Sequence, residues 1–335
     1  MFKDIKQVMK DSVLYGIGNV AVKLVGFILI PLYTDAEYFS TADYGLMGLL
    51  EVTSQILIAV MGLSLYSGLI RWYWDAEYRD KQKTIFFTTL LFTILTSLCI
   101  GSVLWLNVGE LSALLVQQEG YSLGGELPYI LQLLILTSML GAVVEVPQNL
   151  LRLQRKPIYY SLTNIVRLFV TLVLTIYFTI SLHRGVSGVY EAQLVGIVIQ
   201  LLMVLPLVIK NSSCRVDRRC TIQLLAYSYP LVFPAIVGSL LTVFDRYIIN
   251  HFQGLDDVGF YSLGYKVGNT LKVFIVTSVQ LALTPLLMKK MNDPDNKRFY
   301  SKVLTYFSFG LMFCALGLNL FSREGIVWGT TNPDY

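Results

Sequence analysis

The chain has 335 residues, 55% of them hydrophobic and 14% charged, with a mean hydropathy of +0.60 and a net charge of +4. Soluble domains carry about 25% charged residues, so this is a membrane-protein composition. The basic balance is not a nucleic-acid footprint either, because Lys and Arg fall in short clusters between long apolar runs.

The N-terminal MFKDIKQVMKDS is polar and amphipathic, with no cleavage site before the first apolar run, so it reads as part of the mature chain. Nine stretches then reach the roughly 20 apolar residues that a helix needs to cross a bilayer core. They run from about 12 to 33, 44 to 70, 84 to 107, 127 to 150, 156 to 182, 187 to 210, 222 to 250, 258 to 287 and 299 to 321. The connections are short, which leaves no room for an inserted soluble domain. Nineteen Lys and Arg lie in alternate connections, and only Arg184 and Arg323 lie in the others, beside acids such as Asp35, Glu37, Asp43, Asp256 and Asp257. That asymmetry places the N-terminus in the cytoplasm.

Five basic residues fall within spans, Lys23, Arg167, Arg246, Lys266 and Lys272, together with the acids Glu51, Glu145 and Asp245; Glu191 sits near an outer helix end. Each such charge costs about 2.5–3.5 kcal/mol at mid-membrane on insertion scales, so these side chains are expected to face a wet cavity or one another. Helical spacing supports an interior. Lys23 shares a face with Tyr15 and Asn19; Tyr261, Ser262, Tyr265, Lys266 and Lys272 share one arc, with Leu263 opposite; Arg167 aligns with Tyr160, Asn164 and Thr171; Glu51 aligns with Ser54 and Gln55. Glu51 and Glu145 are candidates for a coupling ion, but neutralising a cation such as Lys23 is the favoured expectation. Asp245 and Arg246 point about 100° apart on a helix, which argues against their pairing and favours a gating or structural role near the outer end. Gly264 and Gly268 form a small-residue packing pattern.

A repeat offset of 214 aligns STADYGLMG at Ser40 with GLDDVGFYS at Gly254 through Asp43 with Asp257 and Gly45 with Gly259. Two identities in nine approach the chance level, but both segments link consecutive spans on the outer side. Six helices per unit would give two parallel repeats. No Walker sequence, nucleophile elbow or metal motif is present: Cys99, Cys214, Cys220 and Cys314 are scattered, and His183 and His251 are expected in two short loops. No enzyme activity and no cofactor are expected.

LYGIGNVAVKLVGFILIPLYT followed by ADYGL, then VPQNLLRLQRKPIYYS, and above all DRYIINHFQGLDDVGFYSLGYK resemble the Wzx-type polysaccharide-biosynthesis flippases of the multidrug, oligosaccharidyl-lipid and polysaccharide exporter superfamily. The resemblance implies an all-α polytopic fold of two six-helix lobes in the cytoplasmic (inner) membrane, with a cavity opening alternately to each side. It divides this chain into a lobe at 1–210, a linker at 211–221 and an incomplete lobe at 222–335, as if a longer protein were truncated. The implied cargo is a polyprenyl-pyrophosphate-linked glycan. Lys23, Lys266, Lys272 and Arg167 are expected to meet its pyrophosphate, and Tyr15, Tyr261 and Tyr265 its sugars. Membrane lipid, a polysaccharide polymerase and glycosyltransferases are the implied partners, with no nucleic acid. A cation-coupled drug or metabolite exporter of the same fold, and a non-transporting membrane interaction protein, stay open as alternatives.

Overall fold

The computed structural model describes residues 28–115, 125–213, 215–276, 279 and 296–330. Among these the chain is helical, without strands, and seven helices are long and apolar enough to cross a bilayer. The protein is a multi-pass membrane protein. The first expected span lies almost wholly outside the described residues.

After a helical turn at Ile30–Tyr33, α1 spans Thr41–Gly62. Its start is fixed by a capping box: Ser40 N–H donates to Asp43 Oδ2 at 2.9 Å, and Asp43 N–H donates to Ser40 Oγ at 3.1 Å. The span expected from 44 to 70 is not one helix. Leu63 and Ser64 have φ of 43° and 51°, so the chain breaks there and resumes as α2, Leu65–Trp72. Two successive non-glycine residues with positive φ are uncommon, and nothing in the residue types announces them. Thr96 Oγ1 donates to the Met61 carbonyl at 2.8 Å, serving one carbonyl that the break frees.

α3 spans Gln82–Leu106, α4 Val108–Leu115, α5 Leu127–Leu153, α6 Pro157–Ile176 and α7 Gly185–Asn211. α8 runs unbroken from Arg218 to Phe252 through Pro230 and Pro234. His251, expected in a loop, is therefore in the last turn of α8, while His183 does lie in a connection, with φ of 49°. Gly254, with φ of 97°, turns the chain into α9, Leu255–Thr270, which continues as a π-helical stretch, Leu271–Val276. α10 spans Asn296–Leu320 and α11 Ser322–Gly329.

Two apolar cores divide the molecule by depth. One joins Leu46, Leu49, Ile130, Leu134, Val189, Leu255 and Leu263 near the end where the acidic connections lie. The other joins Leu69, Phe86, Leu150, Tyr160, Leu207 and Leu224 toward the basic end. Leu263, expected opposite the polar arc of this helix, is buried in the first core, because α9 turns that side onto α1. Leu106, Leu202, Phe169, Phe313 and Leu320 are exposed around the rim, as the hydrocarbon of a bilayer requires. At the basic end Lys81 Nζ lies 2.5 Å from Asp217 Oδ2, and Asp217 caps α8 by accepting from the N–H groups of Arg219 and Cys220. The Lys81 ammonium, together with those capping N–H groups, holds the Asp217 carboxyl below its usual range.

Candidate functional site

α1, α7 and α9 enclose a cavity of about 210 Å³ lined by Tyr33, Tyr44, Met47, Gly48, Glu51, Ser54, Gln55, Val189, Tyr190, Gln193, Ser262 and Lys266. Lys266 lies eleven residues into α9, about 16 Å along its axis, which is half the depth of a hydrocarbon core of about 30 Å. Glu51 reaches the same depth on α1.

The Lys266 ammonium lies 5.0 Å from the Tyr44 ring centroid and 6.0 Å from that of Tyr33. An ammonium over a ring face is stabilised by about 0.5–2 kcal/mol, rising as water is excluded. No carboxylate comes within ion-pair distance of Lys266 among the described residues. The charge is thus held by π faces and by the electrostatic attraction of Glu51 across the cavity. Glu51 shares the cavity, so its lining carries one charge of each sign.

On the α8 side of α9 a second group of predicted residues comes together. The Tyr261 hydroxyl donates to Asp245 Oδ2, the Tyr261 and Tyr265 rings are 6.2 Å apart, and the Arg246 guanidinium lies 4.9 Å from the Tyr265 centroid. Arg246 is 6% exposed, and its Nε has no hydrogen-bond partner among the described residues. The Asp245 carboxylate accepts from the Arg246 backbone N–H at 2.9 Å, while the guanidinium goes to Tyr265, so the two side chains do not pair.

Other predicted residues are elsewhere. Arg167 donates to Gln200 Oε1 at 3.1 Å, and Gln200 Nε2 donates to Asn164 Oδ1 at 3.0 Å, forming a network between α6 and α7 that does not line this cavity. Lys272 is exposed on the π-helical stretch. Glu145 sits on α5 beside the α1 break, where a Cβ at Gly62 would be 3.9 Å from its Oε2. Neither Glu51 nor Glu145 lies at ion-pair distance from a cation among the described residues, and Lys23, the cation they were expected to neutralise, is outside them. Lys23 and Tyr15 lie outside the described residues.

Tyr33, Tyr44, Tyr190 and Gln193 line the cavity without having been singled out. Tyr44, Gly48, Glu51 and Gln55 recur at helical spacing, a signal that the spacing of Glu51 alone already contained. Among the described residues a Cβ at Gly264 or Gly268, the expected packing pair, meets nothing within 4 Å. Close packing falls instead on Gly259 and Ser262, one turn earlier.

The sequence model of a family described as "Polysaccharide biosynthesis protein" matches residues 8–291. A search of curated proteins gave no match. Among solved structures, the chain is similar to the MATE multidrug transporter DinF-BH, with TM-score 0.70 and 15% identity over 97% of this chain and 78% of that one. It is also similar to a point mutant of the Vibrio cholerae MATE transporter VcmN, with TM-score 0.63 and 16% identity over 98% and 76%. A third is a Pyrococcus furiosus MOP superfamily transporter, with TM-score 0.66 and 16% identity over 98% and 75%; its pocket is described as of reverse polarity, suggesting a different function. These likenesses identify the two-lobe exporter fold of the superfamily.

Proposed function

The chain belongs to the polysaccharide biosynthesis protein family, and we propose that it is a flippase for polyprenyl-pyrophosphate-linked oligosaccharide in the cytoplasmic membrane. The observation that carries this reading is Lys266, a cation at mid-depth in the cavity between α1, α7 and α9, resting on tyrosine rings with no carboxylate at ion-pair distance among the described residues.

The basic connections, and with them the N-terminus, face the cytoplasm. The pyrophosphate leaves water for the cavity and exchanges its hydration for Lys266 and the neighbouring Arg246, both held over tyrosine rings. Tyr33, Tyr44 and Tyr190 offer faces and hydroxyls to the sugars, while the polyprenyl tail stays in lipid. Arg167, Lys272 and Lys23 are secondary anion contacts along the route. Alternating access of residues 1–210 against 222–335 moves the headgroup, and Glu51, facing the same cavity as Lys266, is the nearest candidate for sensing a coupling cation. The drug-exporter alternative requires a cavity that favours organic cations, which the Lys266 ammonium opposes.

The test is flipping of a fluorescent polyprenyl-pyrophosphate glycan in vesicles reconstituted with Lys266→Gln, Arg246→Gln or Lys23→Gln. Loss in the Lys266 variant, at equal insertion, is the expected result. Full activity in all three would remove the pyrophosphate-ligand role.

A further inference from the structure

α1 stops before the chain has reached the basic connection. Leu63 and Ser64, with φ of 43° and 51°, interrupt it, and α2 resumes only at Leu65. A helix that stops within hydrocarbon leaves its last carbonyls without donors, and its end carries about half a negative elementary charge. Thr96 Oγ1, from α3, serves the Met61 carbonyl at 2.8 Å. The carbonyls of Gly62 and Leu63 accept no hydrogen bond among the described residues.

To this electronegative end α5 adds a carboxylate. Glu145 lies eight residues, about 12 Å, before the end of α5 at Leu153, and its Oε2 is 3.9 Å from where a Cβ at Gly62 would stand. The Glu145 side chain is half-buried, accepts no hydrogen bond and has no cation at ion-pair distance among the described residues. Arg152, two turns further along α5, acts on it from beyond that distance, and its guanidinium is committed to the Tyr160 hydroxyl and to Asn149 Oδ1. A negative charge thus faces the negative end of a helix, which calls for a positive charge between them. The oxygens present select its class. Carboxylate and carbonyl oxygens are hard ligands, and interrupted membrane helices present their carbonyl ends to small cations in this way. One carboxylate balances a single charge, and no group of three or more His, Cys, Asp or Glu occurs among the described residues, so a divalent or transition metal does not fit. A proton would serve the carboxyl and one carbonyl only, leaving the rest of the break bare.

We propose that Glu145 and the carbonyls at the α1 break form a binding site for a small monovalent cation of the sodium class. The site is separate from the Lys266 cavity, whose lining includes neither Glu145 nor Gly62. An ion held there screens the end of α1 and ties α5 to the break. The inference goes beyond the transport reading and does not depend on it.

The test is binding of radioactive sodium by the purified full chain in detergent, beside the thermal midpoint in sodium and in choline chloride at equal ionic strength and fixed alkaline pH. Wild type is expected to bind sodium saturably and to melt higher in sodium, because a ligand that binds only the folded state stabilises it. Glu145→Gln should lose both responses, whereas Glu51→Gln, in the other cavity, should keep both. Wild type without saturable binding would overturn the proposal, as would retention in Glu145→Gln or equal loss in Glu51→Gln. A midpoint that answers to acid but not to sodium would overturn it in favour of a proton. Binding that appears only with Lys23→Gln would overturn it by making Lys23 the charge that meets Glu145. Should Glu145→Gln not fold, Glu145→Asp decides: it keeps the charge but draws it back by one methylene, so sodium binding should weaken, and unchanged binding would overturn the site. No cargo enters these measurements, so their failure is distinct from failure of the transport reading.

Discussion

α1 and α9 occupy equivalent positions in the two halves and meet through equivalent residues, yet they bring different chemistry to the cavity between them. Where they touch, a Cβ at Gly45 would run into the Leu255 carbonyl oxygen and one at Gly259 would meet that of Thr41; Gly45 mirrors Gly259, and Thr41 mirrors Leu255. One turn beyond Gly48 and Ser262 the correspondence ends: Val52 stands where α9 has Lys266, and Glu51 where α9 has Tyr265. Packing kept the symmetry because a Cβ on either side of a backbone contact is equally destructive. The cavity lost it because one ammonium over two rings is a site, whereas a symmetric pair of ammonium groups would repel at close range.

The strongest way to break the comparison is to impose symmetry on the charge. Val52 is fully buried, so Val52→Lys places an uncompensated ammonium in an apolar core and is expected to cost about 3–5 kcal/mol, read as loss of monodisperse protein or a lowered thermal midpoint. Next comes a cation outside that contact altogether. Arg167→Leu leaves the Gln200 carbonyl oxygen without its donor between α6 and α7, which is expected to cost about 1–3 kcal/mol in thermal stability. A smaller effect separates glycines on one helix. Gly264→Ala meets nothing within 4 Å among the described residues and is expected to change stability by less than about 1 kcal/mol, in contrast to Gly259→Ala one turn away.

The smallest effect lies at the basic end. Lys81 and the cap of α8 favour ionised Asp217, so their stabilising contribution is complete above the ordinary carboxylate range. It fades as pH falls through the lowered Asp217 value. Because the pair is exposed, Asp217→Ala should lower the melting temperature slightly at neutral pH and leave it nearly unchanged in acid. An equal difference at both pH values would remove the electrostatic part of that account.

Much of this was legible in the residues. Apolar length gave the spans, and helical spacing brought Lys266 and Glu51 to an interior, since both signals depend only on local geometry. DRYIINHFQGLDDVGFYSLGYK also carried the Asp245–Tyr261 and Arg246–Tyr265 contacts within one hairpin, at sequence separations short enough to anticipate. What could not be read depends on which helices meet. Leu263 fell opposite the polar arc, but α9 alone does not reveal that α1 covers it, and Gly264 with Gly268 looked like the packing pair until Gly45 selected Gly259 instead. The break at Leu63 and Ser64 is a tertiary choice, imposed on residues with no preference for positive φ.

The proposed role of Lys266, a cation with no carboxylate at ion-pair distance among the described residues, is to meet an anionic cargo, and the most direct measurement is flipping of a polyprenyl-pyrophosphate glycan by Lys266→Gln beside Lys266→Arg. A hydrogen bond to a charged group is worth about 1.5–3 kcal/mol, so the Gln variant should lose about 10- to 150-fold in rate while Arg retains most of it. Wild-type flipping by a correctly inserted Lys266→Gln protein would contradict the account.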